Sequence, residues 1–500
     1  MIAQQLFSGP SVDWWALAPY LIVVGGALKL MVIGSLTSRW PKGLTAWVTV
    51  VIATVAAATV VLNWRSIGTD GTSSLVNGAL AHDRLAAFLH LAILVTTALV
   101  ALLSDGVLRG TENDGPEIYT LLLAAAAGAM VMVAANELIV MFLGLETLSL
   151  AFYVLAASDR RRAESQESGL KYFLLGGLAS AFFLYGIALL YGATRTTTLT
   201  TMIDRLRTVV TVERNDALLL AGLALLLIGF AFKVAAVPFH VWAPDVYQGA
   251  PTNVTAFMAS VGKIAAFGAM LRVLVVALPF YRDDWRPVVW VLAVLSLVVG
   301  SGLAVVQTNV KRMLAYSSVS HAGFMLIGVE AAGHTAGEVF PTAGMRAVVM
   351  YLAVYAVLVV GSFAVVTIAG GAGSDINEFD GLGSRRPILA VGLTVVVLAQ
   401  AGVPLTSGFV AKWGVIQAAV DEGSYWLAVL AMLAAVIGAF VYLRIMVSVW
   451  LRTPTAEVER ESVPMLTGLV IGLAAAATIA VGVYPSLLLN LVDALPLTHR

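Results

Sequence analysis

Apolar stretches long enough to cross a lipid bilayer as helices follow one another along this chain, separated by short polar connections. They lie near residues 15–36, 44–64, 83–104, 118–135, 137–157, 168–192, 217–238, 252–278, 287–307, 313–331, 343–369, 387–419, 424–450 and 464–492. The alternating ten-residue segments of a membrane barrel are absent. The pattern predicts an all-α integral membrane protein of about 14 transmembrane helices, with no soluble catalytic domain. The longest connections, 194–216 and 370–386, read as polar linkers. Residues 1–15 carry no Lys or Arg, so the first run is expected to stay as a membrane helix rather than serve as a signal peptide.

Two runs contain breakers. Pro238 follows Lys233 by about one turn, and Pro404 precedes Lys412 within Gly402-Val403-Pro404-Leu405-Thr406-Ser407-Gly408. Proline removes a backbone donor and clashes with the preceding turn, so the helix breaks. In lipid such a break survives only against protein or a hydrated cavity. Broken helices seven and twelve, at corresponding places in two halves, point to two inverted five-helix repeats. The expected division is an N-terminal three-helix segment (1–115), a first repeat of helices 4–8 (116–280), a second of helices 9–13 (281–455) and a C-terminal helix 14 (456–500).

Composition changes the picture in two ways. Hydrophobic residues make up 60% of the chain and charged ones 12%, with a mean hydropathy of +0.93, so lipid is the solvent. Net charge is zero, which gives no global case for nucleic acid. There is no cysteine, which excludes disulfides, cysteine-held iron–sulfur clusters and thiolate zinc sites. The six histidines are scattered, the last being His499. No metal or cofactor site is expected in this chain, and electron chemistry would belong to another. With the N-terminus outside, the cytoplasmic connections collect twelve basic residues, Arg39, Lys42, Arg160, Arg161, Arg162, Lys311, Arg312, Arg385, Arg386 and Arg460 among them, against eight opposite, including Arg65, Arg282 and Arg286. That bias predicts both termini outside.

The candidate chemistry lies in the seven lysines. Lys42 and Lys311 read as loop residues, whereas Lys29, Lys171, Lys233, Lys263 and Lys412 fall within or at the start of apolar runs. Arginine holds its proton; a buried lysine can release one, which is what a proton relay needs. Glu146, in Phe142-Leu143-Gly144-Leu145-Glu146-Thr147-Leu148-Ser149-Leu150, is the matching acid, and Lys233 its expected partner. An ionisable group at this depth is costly unless paired, and marks a functional path more often than a packing device. His321, among serines in the tenth run, suits a relay; the bland alternative is a histidine satisfied by those hydroxyls. Lys171 beside its polar loop allows either reading. His240 and Asp245 lie beyond the Pro238 break, where they could line an entrance. Lys29 reads as a snorkelling anchor. Glu137 and Glu330 sit near run ends, where solvation accounts for them.

The stretch Lys233-Val234-Ala235-Ala236-Val237-Pro238-Phe239-His240-Val241-Trp242-Ala243-Pro244-Asp245-Val246-Tyr247-Gln248-Gly249-Ala250-Pro251-Thr252 resembles the broken seventh helix of the antiporter-like membrane subunits of respiratory complex I, the proton-pumping NADH:quinone oxidoreductase. Gly144-Leu145-Glu146-Thr147-Leu148-Ser149-Leu150 and Glu167-Ser168-Gly169-Leu170-Lys171-Tyr172-Phe173-Leu174-Leu175-Gly176 support the resemblance. It implies a Glu on helix five (Glu146), lysines on helices seven and eight (Lys233, Lys263) and a basic residue on broken helix twelve (Lys412). Lysine at 412 differs from subunit M, which typically has Glu there, and no long lateral helix of the subunit L kind follows. The second place of the Glu-Thr-Leu-Ser motif, often aliphatic in the family, is here Thr147.

The resemblance further implies that NADH, flavin, iron–sulfur clusters and quinone belong to partner subunits. This chain would then be a proton channel in the plasma membrane, embedded in lipid beside other complex I membrane subunits, including the other antiporter-like ones. Protons would pass from Lys263 to Lys233 under the control of Glu146 and leave by Lys412. The rival readings are a subunit of a multisubunit cation/proton antiporter and a passive structural subunit of the membrane arm.

Overall fold

The computed structural model describes residues 12–37, 41–67, 73–109, 111, 114–209, 217–337, 341–369, 374–453 and 463–495. Arg39, Arg460 and His499, and parts of both long connections, lie outside them. The first helices are α1 (Trp14–Leu36), α2 (Leu44–Trp64), α3 (Arg84–Leu108), α4 (Pro116–Ala134), α5 (Leu138–Ala156), α6 (Ala163–Thr194), α7 (Leu199–Val209) and α8 (Ala217–Val234). The middle of the chain holds α9 (Trp242–Gly249), α10 (Thr252–Met270), α11 (Arg282–Val306), α12 (Val310–His334) and α13 (Ala343–Ala369). The last are α14 (Leu382–Arg385), α15 (Pro387–Ala401), α16 (Ser407–Asp421), α17 (Tyr425–Leu451), α18 (Met465–Val483) and α19 (Ser486–Asp493). A small hairpin, Ser73–Leu75 against Leu80–His82, turns through Asn77 and Gly78 at positive φ.

Twelve of the described helices are long and apolar enough to cross a membrane. The predicted run 313–331 is α12, whose lysine, histidine, glutamate and serines make it too polar to count among those twelve. The run 387–419 is α15 and α16, two short helices meeting at the Gly402 break. Three details differ from expectation. The connection after α6 carries α7, an amphipathic helix. The last run divides at Pro485 into α18 and α19. Lys311 lies in the first turn of α12, buried, not in a loop.

A few helix entries carry side-chain caps. Asp83 accepts from Ala86 N at the start of α3, and Asn309 from Arg312 N at the start of α12. Where α4 meets α5, a Cβ on Gly144 would stand 2.8 Å from Met132 N, so glycine is what allows the two backbones to touch. The α10 segment, continuing as a π-helix to Ala277, is buried from Asn253 onward and forms the centre of the molecule.

The same backbone pairing occurs twice. Before α5, Leu138 N donates to Thr197 O and Leu199 N to Asn136 O; before α12, Val310 N donates to Ser374 O and Ile376 N to Thr308 O. In each case the entrance of the second helix of a predicted repeat is tied to the chain just after its third.

Candidate functional site

The breaks create the acceptors on which the buried lysines rest. α8 ends at Val234, Ala235 takes a positive φ, and Pro238 offers no N–H. The chain is redirected with its donors satisfied: Ala236 N bonds Ala231 O, and Val237 N bonds Ser296 Oγ at 2.9 Å. Carbonyls at a helix C-terminus lack intrahelical partners and carry the negative end of the dipole. Lys263, on α10, donates to one of them, Val234 O, at 2.7 Å. Lys412, on α16, donates at 3.0 Å to Ala401 O, the last carbonyl of α15 before the Gly402 break. Lys311 donates at 2.7 Å to Ala250 O, at the C-terminus of α9.

Lys233 is held differently. Its ammonium donates to Ser149 Oγ at 2.7 Å and approaches Tyr172 OH at 3.5 Å, with the Phe152 ring centroid 5.9 Å away. Ser149 in turn donates to Leu145 O. Glu146 sits three residues before Ser149 on the same face of α5, and its Oε1 has no hydrogen-bond partner. The expected Glu146–Lys233 ion pair is therefore not formed; the serine takes the lysine instead. Sequence reasoning passed over Ser149, although its i+3 spacing from Glu146 was the available signal.

None of Lys233, Lys263, Lys311 and Lys412 is more than 6% exposed. Among the described residues none of them has a carboxylate within ion-pairing distance. His321 has a partner on both ring nitrogens: Nδ1 meets Tyr351 OH at 2.7 Å and Nε2 meets Tyr442 OH at 3.1 Å, and Tyr442 bonds Ser317. His321, Tyr442 and Lys412 line one small cavity.

The other predicted residues divide between a surface cluster and static contacts. Lys171 is half-exposed and bridges Glu167 (2.7 Å) and Asp245 (2.8 Å), while Arg312 meets the other Asp245 oxygen at 2.7 Å. Burial pushes the Asp245 carboxyl up, but the hydrogen bonds and charge of Lys171 and Arg312 prevail and hold it below the usual carboxylate range. His240 is half-buried near Tyr316, its Nδ1 without a partner. Glu330 corrects the solvation reading. It is 3% exposed and bound by Arg286, His334 and Ser424. Arg272, buried inside the α10 segment, meets Asp83 through two bonds of 2.7 and 2.8 Å.

A sequence profile described as NADH:quinone oxidoreductase/Mrp antiporter, TM, matches residues 135–438, which span both breaks and all four buried lysines. NADH-quinone oxidoreductase subunit N of Mycobacterium tuberculosis is 39% identical over 98% of this chain and 99% of its own length. The chain belongs to the subunit N family of NADH-quinone oxidoreductase. Another family member, from Salinispora arenicola, is 40% identical over 96% of this chain and 97% of its own.

The subunit N fold is shared more widely than the sequence. A chain of respiratory complex I from Thermus thermophilus with bound aureothin superposes with a TM-score of 0.80 at 32% identity, covering 96% of this chain and 100% of that one. A chain of the Mrp complex from Dietzia sp. DQ12-45-1b gives 0.83 at 22% identity, over 97% of each. At that identity the likeness is of fold alone. Within this subunit N chain, no group of three or more His, Asp or Glu among the described residues is placed to hold a metal.

Proposed function

We propose that this chain is a proton-translocating membrane-arm subunit of an NADH:quinone oxidoreductase. Electrons pass from NADH to quinone in partner subunits, and this chain carries protons. The observation behind the reading is that each central ammonium rests on a neutral oxygen, with no carboxylate to hold its proton permanently. A buried amine so placed loses its proton readily when a neighbouring negative charge withdraws, because desolvation favours the neutral form. Protons enter towards Lys263, pass to Lys233 under the control of Glu146, and leave by Lys412, with His321 and Tyr442 between. The Lys171, Asp245 and His240 group lines the entrance.

The chain crosses the plasma membrane fourteen times, with both termini outside, and residues 116–280 and 281–455 form inverted repeats. The duplicated backbone ties before α5 and α12 support the repeats. The redox cofactors sit in partner subunits, and the other antiporter-like subunits are its neighbours in the membrane arm.

Glu146→Gln keeps the shape of the side chain and removes its charge. The assembled complex should then pump fewer protons per NADH. Normal pumping by that variant would refute the control role, and failure to assemble would favour the scaffold reading. Copurification with redox subunits separates this function from a cation/proton antiporter subunit.

A further inference from the structure

Between the N-terminal helices and the second half of the chain lies a cavity of about 480 Å³. Phe88, Ala92 and Thr96 of α3, Ala353 of α13, Thr478 of α18 and Leu488 of α19 are among its walls. The hydroxyls of Thr96 and Thr478 are turned away, donating to Ala92 O at 2.6 Å and Ala474 O at 2.7 Å. That leaves Ser407 as the one hydroxyl of the described lining not so engaged, and a cavity with so few free polar groups does not hold ordered water. In a bilayer the apolar material at hand is a lipid tail.

We propose that this cavity seats one acyl chain of an anionic membrane phospholipid, with its headgroup at Arg65. Depth and polarity both fit. From Phe88 to Thr96 the wall runs about 12 Å at 1.5 Å per residue, close to the roughly 15 Å of one leaflet's hydrocarbon. Trp64 and the exposed Arg65, at the end of α2, line the cavity as well. Tryptophan is favoured at the membrane interface, and a basic residue there attracts anionic headgroups. Arg65 is the one charged side chain of the described lining, exposed and with no partner among the described residues. Neighbouring Arg84 is already engaged, donating to Ala494 O and Ile67 O and lying 5.9 Å from the Trp64 ring centroid. The charge at one end and the dry slot beneath it match a phospholipid better than a wholly apolar molecule.

The test uses the intact complex, delipidated, returned to vesicles of equal phosphatidylglycerol and phosphatidylcholine, extracted again and weighed by native mass spectrometry. An Ala92→Phe, Ala353→Phe variant, which fills the slot, should carry one phospholipid fewer than the natural protein. Arg65→Gln should keep the count but reduce the preference for phosphatidylglycerol at that place by about fivefold. Equal lipid counts in the natural and filled proteins would overturn the proposal, as would a quinone as the missing mass. If the filled variant does not assemble, Arg65→Gln decides alone: an unchanged headgroup preference overturns the assignment.

Discussion

Lys233 rests on Ser149 while Glu146, three residues earlier on the same helix, keeps a carboxylate oxygen unpaired. These three side chains describe two possible partners for one ammonium, one neutral and one charged. A hydrogen bond from a charged donor contributes about 1.5–3 kcal/mol, enough to decide between them. Ser149→Ala removes the neutral partner and leaves Lys233 to pair with Glu146. NADH-driven proton pumping by the assembled complex should then slow by about tenfold, which corresponds to roughly 1.4 kcal/mol on a barrier. Pumping at the natural rate would mean that Ser149 only fills space. The lysines themselves were legible as charge inside apolar runs. Their acceptors were not, because Val234 O, Ala401 O and Ala250 O become available only once the chain has broken and folded back. Lys311 was misplaced because the apolar stretch that marks its helix begins after it.

At the scale of elements, static and mobile charge are built differently. Asp83 caps α3 and grips Arg272 on the π-helical end of the α10 segment through two bonds, and both side chains are buried. This is a clamp between elements, with a proton-holding arginine and a matched carboxylate. Removing one partner of such a pair strands a buried charge, at a cost of about 3–5 kcal/mol. Asp83→Asn should lower the thermal stability of the complex, followed by its unfolding temperature, while the surviving complex pumps normally per NADH. A change in that ratio without loss of stability would move the clamp into the proton path. Broken helices were readable from Pro238 and Pro404, since proline acts locally. The pairing that ties the entrance of α5 to residues 197–199, and that of α12 to 374–376, was not, since no local pattern marks it.

The whole molecule sets a buried α10 segment at its centre and leaves wide apolar faces on α1, α2, α17 and α18. Its membrane class and helix order follow from composition and run length. The cavity beside α3 does not, because it is formed by helices far apart in sequence. The central lysines lie away from lipid and solvent, as the proposed proton path through them requires. Moving one charge against 100 mV costs about 2.3 kcal/mol, so the proposed translocation needs a drive of the kind redox chemistry in partner subunits supplies. The most direct measurement is the number of protons pumped per NADH oxidised by vesicles carrying the assembled complex with Lys233→Ala. A fall in that number, with the subunits still copurifying, is the predicted result; the natural ratio at natural turnover would contradict the proton path through Lys233.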